Sequence, residues 1–131
     1  MNANELRIGN WVRTGILYLR VESIHEKGIN IYSETDYSSC IIEADARYDS
    51  INPIPLTPDI LEKCGFDIDL NNFNWNAFKE FENNGLSHYV TLRFNEKRGW
   101  FFNHAASPVK HVHQLQNLYF VLTGEELEIN L

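Results

Sequence analysis

Ser107-Pro108-Val109-Lys110-His111-Val112-His113-Gln114-Leu115-Gln116-Asn117-Leu118-Tyr119-Phe120-Val121-Leu122-Thr123-Gly124-Glu125-Glu126-Leu127 reads as one complete helix with its own start and stop. Ser107 suits a cap, and Pro108 has its φ already set for a first helical position. Val112, Leu115, Tyr119 and Leu122 recur at helical spacing, and Gly124 ends the run. Leu118, Phe120 and Val121 widen the apolar surface beyond one stripe, so this helix is expected to be enclosed on two sides or to lend part of itself to an interface.

Working back toward the N-terminus, Leu86, His88, Val90, Leu92 and Phe94 alternate with Ser87, Tyr89, Thr91 and Arg93, the period of a strand. Trp100-Phe101-Phe102 is the return strand, giving a hairpin over 86–103. Trp75, Phe78 and Phe81 recur every third residue and predict a short amphipathic helix ending near Asn83-Asn84-Gly85. Thr57-Pro58-Asp59-Ile60-Leu61-Glu62-Lys63-Cys64-Gly65-Phe66 is a helix over 58–64. Thr57 caps it, Asp59 complements the helix dipole, and Gly65 is the left-handed stop that lets Phe66 fold back on Leu61. Leu127, Ile129 and Leu131 alternate as a short last strand.

The first 56 residues carry a different pattern. Gly9-Asn10-Trp11-Val12 opens a strand, and Leu17, Leu19 and Val21 alternate with Tyr18 and Arg20. Ile29-Asn30-Ile31-Tyr32 returns after the Glu26-Lys27-Gly28 turn, and Cys40-Ile41-Ile42 follows the polar loop Ser33–Ser39. Pro53 and Pro55 mark an edge or terminal strand, since neither can donate to a ladder. The expected fold is therefore α+β. A small SH3-like β-barrel over 1–56 precedes an α+β unit over 57–131, made of helix 58–64, hairpin 86–103, helix 109–122 and the last strand. The two are expected to pack as one compact body.

Composition limits the function. Hydrophobic residues at 44% and charged residues at 22% are values of a globular chain. The N-terminus is polar and acidic, and the longest apolar run is Leu118 to Leu122, so a cytoplasmic protein with no membrane partner is expected. The net charge of −7 is spread over both halves: 5 basic and 8 acidic residues in 1–56, 6 and 10 in 57–131. Nonspecific nucleic-acid binding, which needs a basic face to displace counterions, is disfavoured. The two cysteines, Cys40 and Cys64, are expected to be reduced and buried. Neither lies in a zinc or redox motif.

Motifs for catalysis are absent: no nucleophile elbow, no HExxH, no phosphate-binding loop. No cofactor is expected. His88, His104, His111 and His113 are candidate metal ligands by residue type alone. If the final helix starts at Pro108, His111 and His113 diverge by about 200° and do not chelate together. Trp11, Tyr37 and Tyr119 are the candidate partner contacts, with the Ser33–Ser39 loop and the exposed part of the final helix as contact elements.

Three segments carry a resemblance. Glu5-Leu6-Arg7-Ile8-Gly9-Asn10-Trp11-Val12, the stretch from Pro53-Ile54-Pro55-Leu56-Thr57-Pro58 to Gly65-Phe66, and Val112-His113-Gln114-Leu115-Gln116-Asn117-Leu118-Tyr119-Phe120-Val121-Leu122-Thr123-Gly124-Glu125-Glu126-Leu127 together resemble a family of small uncharacterised proteins. These occur in Bacteroidetes bacteria and their phages or integrated elements. The resemblance implies an accessory protein of a mobile element and brings no catalytic residues. A noncatalytic protein-binding or regulatory role is the leading expectation. One alternative is a small metal-binding protein or enzyme using the histidines; the other is nucleic-acid binding through the barrel.

Overall fold

The computed structural model describes residues 1–35, 40–71, 74–103 and 105–131. The chain is α+β, dominated by two four-stranded antiparallel sheets. It divides into two compact units, Met1–Ile54 with His111–Asn117, and Pro55–Lys110 with Leu118–Leu131. The boundary thus falls two residues before the expected one, and the first half of the final helix joins the N-terminal unit.

In the first unit, β1 (Trp11–Thr14), β2 (Leu17–His25), β3 (Gly28–Thr35) and β4 (Cys40–Arg47) form a meander in chain order. Gly9 and Asn10 extend the β1 edge by exchanging backbone bonds with Val21, Gly9 N–H to Val21 C=O at 2.8 Å and Val21 N–H to Asn10 C=O at 2.9 Å. The Pro-containing piece meets β1 at a single bridge, Arg13 with Asn52. These pairings describe an open sheet. Leu6, Val12, Leu19, Val21, Ile29, Ile31 and Ile51 form its core, as alternation predicts for β2 and β3. Leu17 departs from that alternation. It is 51% exposed beside Ile16, which is 93% exposed, at the tip of the first hairpin.

In the second unit, α1 (Pro58–Lys63) has the anatomy its sequence predicts. Thr57 Oγ1 accepts the Ile60 N–H at 3.3 Å. At the other end Gly65 has φ +81°, and the Gly65 and Phe66 amides bond back to Glu62 and Leu61. Leu61 and Phe66 are both buried. The sheet runs β5 (Asp67–Asn71), β6 (Asn74–Asn83), β7 (Leu86–Asn95), β8 (Gly99–Phe102). The helix expected around Trp75–Phe81 is strand β6. Asn84 and Gly85 both adopt positive φ, 52° and 76°, the geometry of a two-residue hairpin turn. That turn pairs Asn83 with Leu86 and carries the ladder back to Asn76 opposite Arg93. The three-residue aromatic spacing puts Phe78 and Phe81 on opposite faces of the strand.

The last helix, α2 (Val112–Thr123), begins three residues later than expected. The Val109 N–H is taken by Trp100 C=O at 2.7 Å, so residues around Pro108 run extended beside β8. The first helical bond runs from Leu115 N–H to His111 C=O, which makes His111 the cap residue. Gln114, three residues on, accepts the His111 N–H at 3.2 Å, the reciprocal half of a capping box. The final strand does not form among the described residues. Leu127 is buried, and the tail bonds through Asn130 N–H to Lys63 C=O at 3.2 Å. No helix among the described residues is long and apolar enough to cross a membrane.

Candidate functional site

The first half of α2 carries a polar cluster that joins it to residues 5–11 in the first unit. Gln116, 2% exposed, accepts the Trp11 N–H through Oε1 at 2.8 Å and donates through Nε2 to Gly9 C=O at 3.1 Å. One side-chain amide thereby serves two backbone groups two residues apart, as a neighbouring strand would. Asn117 Oδ1 accepts from Arg7 Nε at 3.0 Å and from Asn10 Nδ2 at 2.9 Å, and its Nδ2 donates to Glu5 C=O at 3.1 Å. Asn10, fully buried, closes the cluster by accepting the Arg7 N–H at 2.7 Å. Each of these buried amides has partners, which is what makes burying them tolerable.

His113 belongs to the same neighbourhood and is fully buried. Among the described residues neither ring nitrogen has a hydrogen-bond partner; Glu5 Oε2 stands 3.7 Å from Nε2. Burial pushes the imidazole pKa below its ordinary value, the neighbouring His111 acts in the same direction, and Glu5 opposes both. The His111 and His113 rings lie nearly parallel with centroids 5.7 Å apart. The divergence expected for a helical pair is therefore overturned, because His111 sits before the first helical residue. The pair stacks, and among the described residues no group of three or more metal-ligating side chains forms around it.

The other histidines do not join them. His88 is exposed on β7 in the second unit, its ring against Phe81 at 5.5 Å. His104 and Tyr37 lie outside the described residues, as does the part of the Ser33–Ser39 loop beyond Thr35. Trp11 is half-buried at the start of β1 with the Arg20 guanidinium 5.8 Å from its ring. Tyr119 is 4% exposed and has Lys79 Nζ 5.8 Å from its ring, so it is a core residue of the second unit and not an open contact. Burial raises its phenol pKa, and Glu125 adds to the shift. Cys64 is buried at the end of α1 with its thiol pushed up to about 12 by desolvation, only partly offset by Lys79. Such a thiol is a poor nucleophile.

What stays open on α2 is its last turn. Val121 is 80% exposed, Phe120 38% and Leu122 36%. The width of the apolar surface in the sequence allowed either enclosure or an interface, and for Phe120–Leu122 the side chains are not enclosed. Ile16, Leu17 and Tyr18 form a second exposed apolar group, at the β1–β2 tip; the alternating pattern assigned Leu17 inward and gave no sign of it.

No protein-family model, no curated protein and no solved structure matches the chain. Two segments far apart in the chain, Glu5–Val12 and the start of Val112–Leu127, bond to each other in the first unit.

Proposed function

We propose that this protein is a noncatalytic protein-binding or regulatory module, an accessory protein of a Bacteroidetes phage or mobile element. The observation that carries the reading is the last turn of α2, where three successive apolar side chains meet solvent. Isolated exposed apolar residues are ordinary, whereas a contiguous group on a rigid element has the character of a contact surface. Burying such side chains against a partner contributes about 25 cal/mol per Å² of apolar area removed from water.

Two further features support a binding role. The β1–β4 meander, an open sheet, is read as an SH3-like scaffold that presents its hairpin tips, and the tip at Ile16–Tyr18 is apolar. The net charge of −7 suits a partner with a basic surface and speeds its approach.

The test is affinity purification from a Bacteroidetes host with the native protein and with a Val121→Asp, Leu122→Asp variant. A partner recovered in stoichiometric amount with the native chain and lost with the folded variant supports the reading. Identical recovery with both refutes the assignment of the contact to α2.

A further inference from the structure

The register of the second sheet assembles a polar recess that no motif announces. Asn76 on β6 stands opposite Arg93 on β7, which stands opposite Phe101 on β8. Directly opposed residues share a face, so these three side chains form one row across three strands. Asn95 follows two residues after Arg93 on that same face, and Asn103 stands just past the end of β8, where the chain turns with a φ of +48°. All five line a recess of about 380 Å³, together with Trp75 and Phe94. That volume lies within the range of small-molecule sites.

The chemistry of the lining is specific. Arg93 is exposed and has no carboxylate partner among the described residues, in a chain whose net charge is −7. Arg98 is held in place, with its guanidinium 4.9 Å from the Phe101 ring and one nitrogen donating to Ala106 C=O at 3.0 Å. Asn95 Oδ1 already accepts the Lys97 and Arg98 amides at 3.0 and 3.2 Å, which leaves its NH₂ to be presented. A planar guanidinium fork matches the oxygens of a phosphate, and side-chain amides pair with hydroxyls or the edge of a base. Asp69 stands opposite Asn76 on the far side from Arg93.

We propose that this recess binds a small phosphate ester whose body carries hydroxyls or a base, with Arg93 holding the phosphate and Asn76, Asn95 and Asn103 reading the rest. The site is separate from the α2 contact surface and does not depend on it.

The experiment titrates the full chain with adenosine 5′-monophosphate, glucose 6-phosphate and inorganic phosphate, followed by NMR of backbone and side-chain amides. At least one ester is expected to saturate and to shift the Asn76, Asn95 and Asn103 side-chain signals. Arg93→Gln is expected to weaken it by about tenfold or more. Arg93→Lys keeps the charge without the fork and also weakens binding, which covers the case of a Gln variant that fails to fold. Binding of the nucleotide alone assigns the body as a base, binding of the sugar phosphate alone as a polyol; either supports the site. The proposal is overturned if neither ester saturates below about 10 mM, if inorganic phosphate binds as tightly as the esters, or if folded Arg93 variants bind as the native chain does.

Discussion

Replacing Gln116 with Met keeps the length and roughly the volume of the side chain while removing both hydrogen-bonding ends. The Trp11 N–H loses its acceptor at 2.8 Å, and Gly9 C=O loses its donor at 3.1 Å. A buried backbone group left unpaired costs about 1–3 kcal/mol. Gly9 and Trp11 are only half-buried, so water can partly replace the amide, and the combined cost is about 2–4 kcal/mol rather than the full sum. Because the apolar volume is kept, a loss of that size reports the hydrogen bonds and not a cavity. Urea unfolding followed by tryptophan fluorescence measures the stability, and amide hydrogen exchange at Trp11 locates the effect. A Gln116→Met protein within about 0.5 kcal/mol of the native chain, with Trp11 exchange unchanged, would refute the claim that this amide stands in for a strand.

Further predictions concern three other positions. Gly65→Ala forces a Cβ into a φ of +81° and to 2.6 Å from Lys79 Nζ, so thermal unfolding should show a loss of about 1–2 kcal/mol. His113 has a folded pKa below its ordinary 6.5, so the unfolded chain takes up the proton first as pH falls. Stability from this group is intact above pH 6.5 and is lost as pH drops from there toward the folded value, and a His113→Leu variant should flatten that part of the stability profile. Cys64 should resist iodoacetamide at pH 8 in the native protein and label readily in urea, as peptide mass spectrometry would show. Rapid native labelling would contradict its burial and raised pKa.

Legibility in the sequence tracks how local the deciding interaction is. The α1 signal was complete because Thr57, Pro58, Gly65 and Phe66 act within one turn of the helix they bound. The β7–β8 hairpin was legible by alternation. At β6 two local signals competed, a three-residue aromatic spacing and an Asn84-Gly85 turn. The turn prevailed because it lets Asn76–Asn83 pair along the whole of its neighbour. The start of α2 was misplaced because Pro108 suits a helix start and an extended edge equally, and the choice is made by Trp100 C=O, which captures the Val109 amide. That shift also reversed the expectation for His111 and His113.

The less legible parts depend on distant partners. Gln116 and Asn117 meet residues more than a hundred positions earlier, and nothing in the spacing of either segment announces the other. The recess around Arg93 follows from strand register, which sequence alternation constrains only to one face or the other. For the end of α2, five successive apolar residues showed a surface wider than one buried stripe but left enclosure and exposure both open, because the choice depends on which distant elements reach it.

The central claim is that the last turn of α2 is a protein contact. A photoreactive residue placed at Val121 and activated in the native host tests it most directly, with the exposed turn position Lys27 as control. One discrete protein adduct is expected from position 121, abolished by Leu122→Asp and absent from position 27. No adduct from position 121, or the same adducts from both positions, would contradict it.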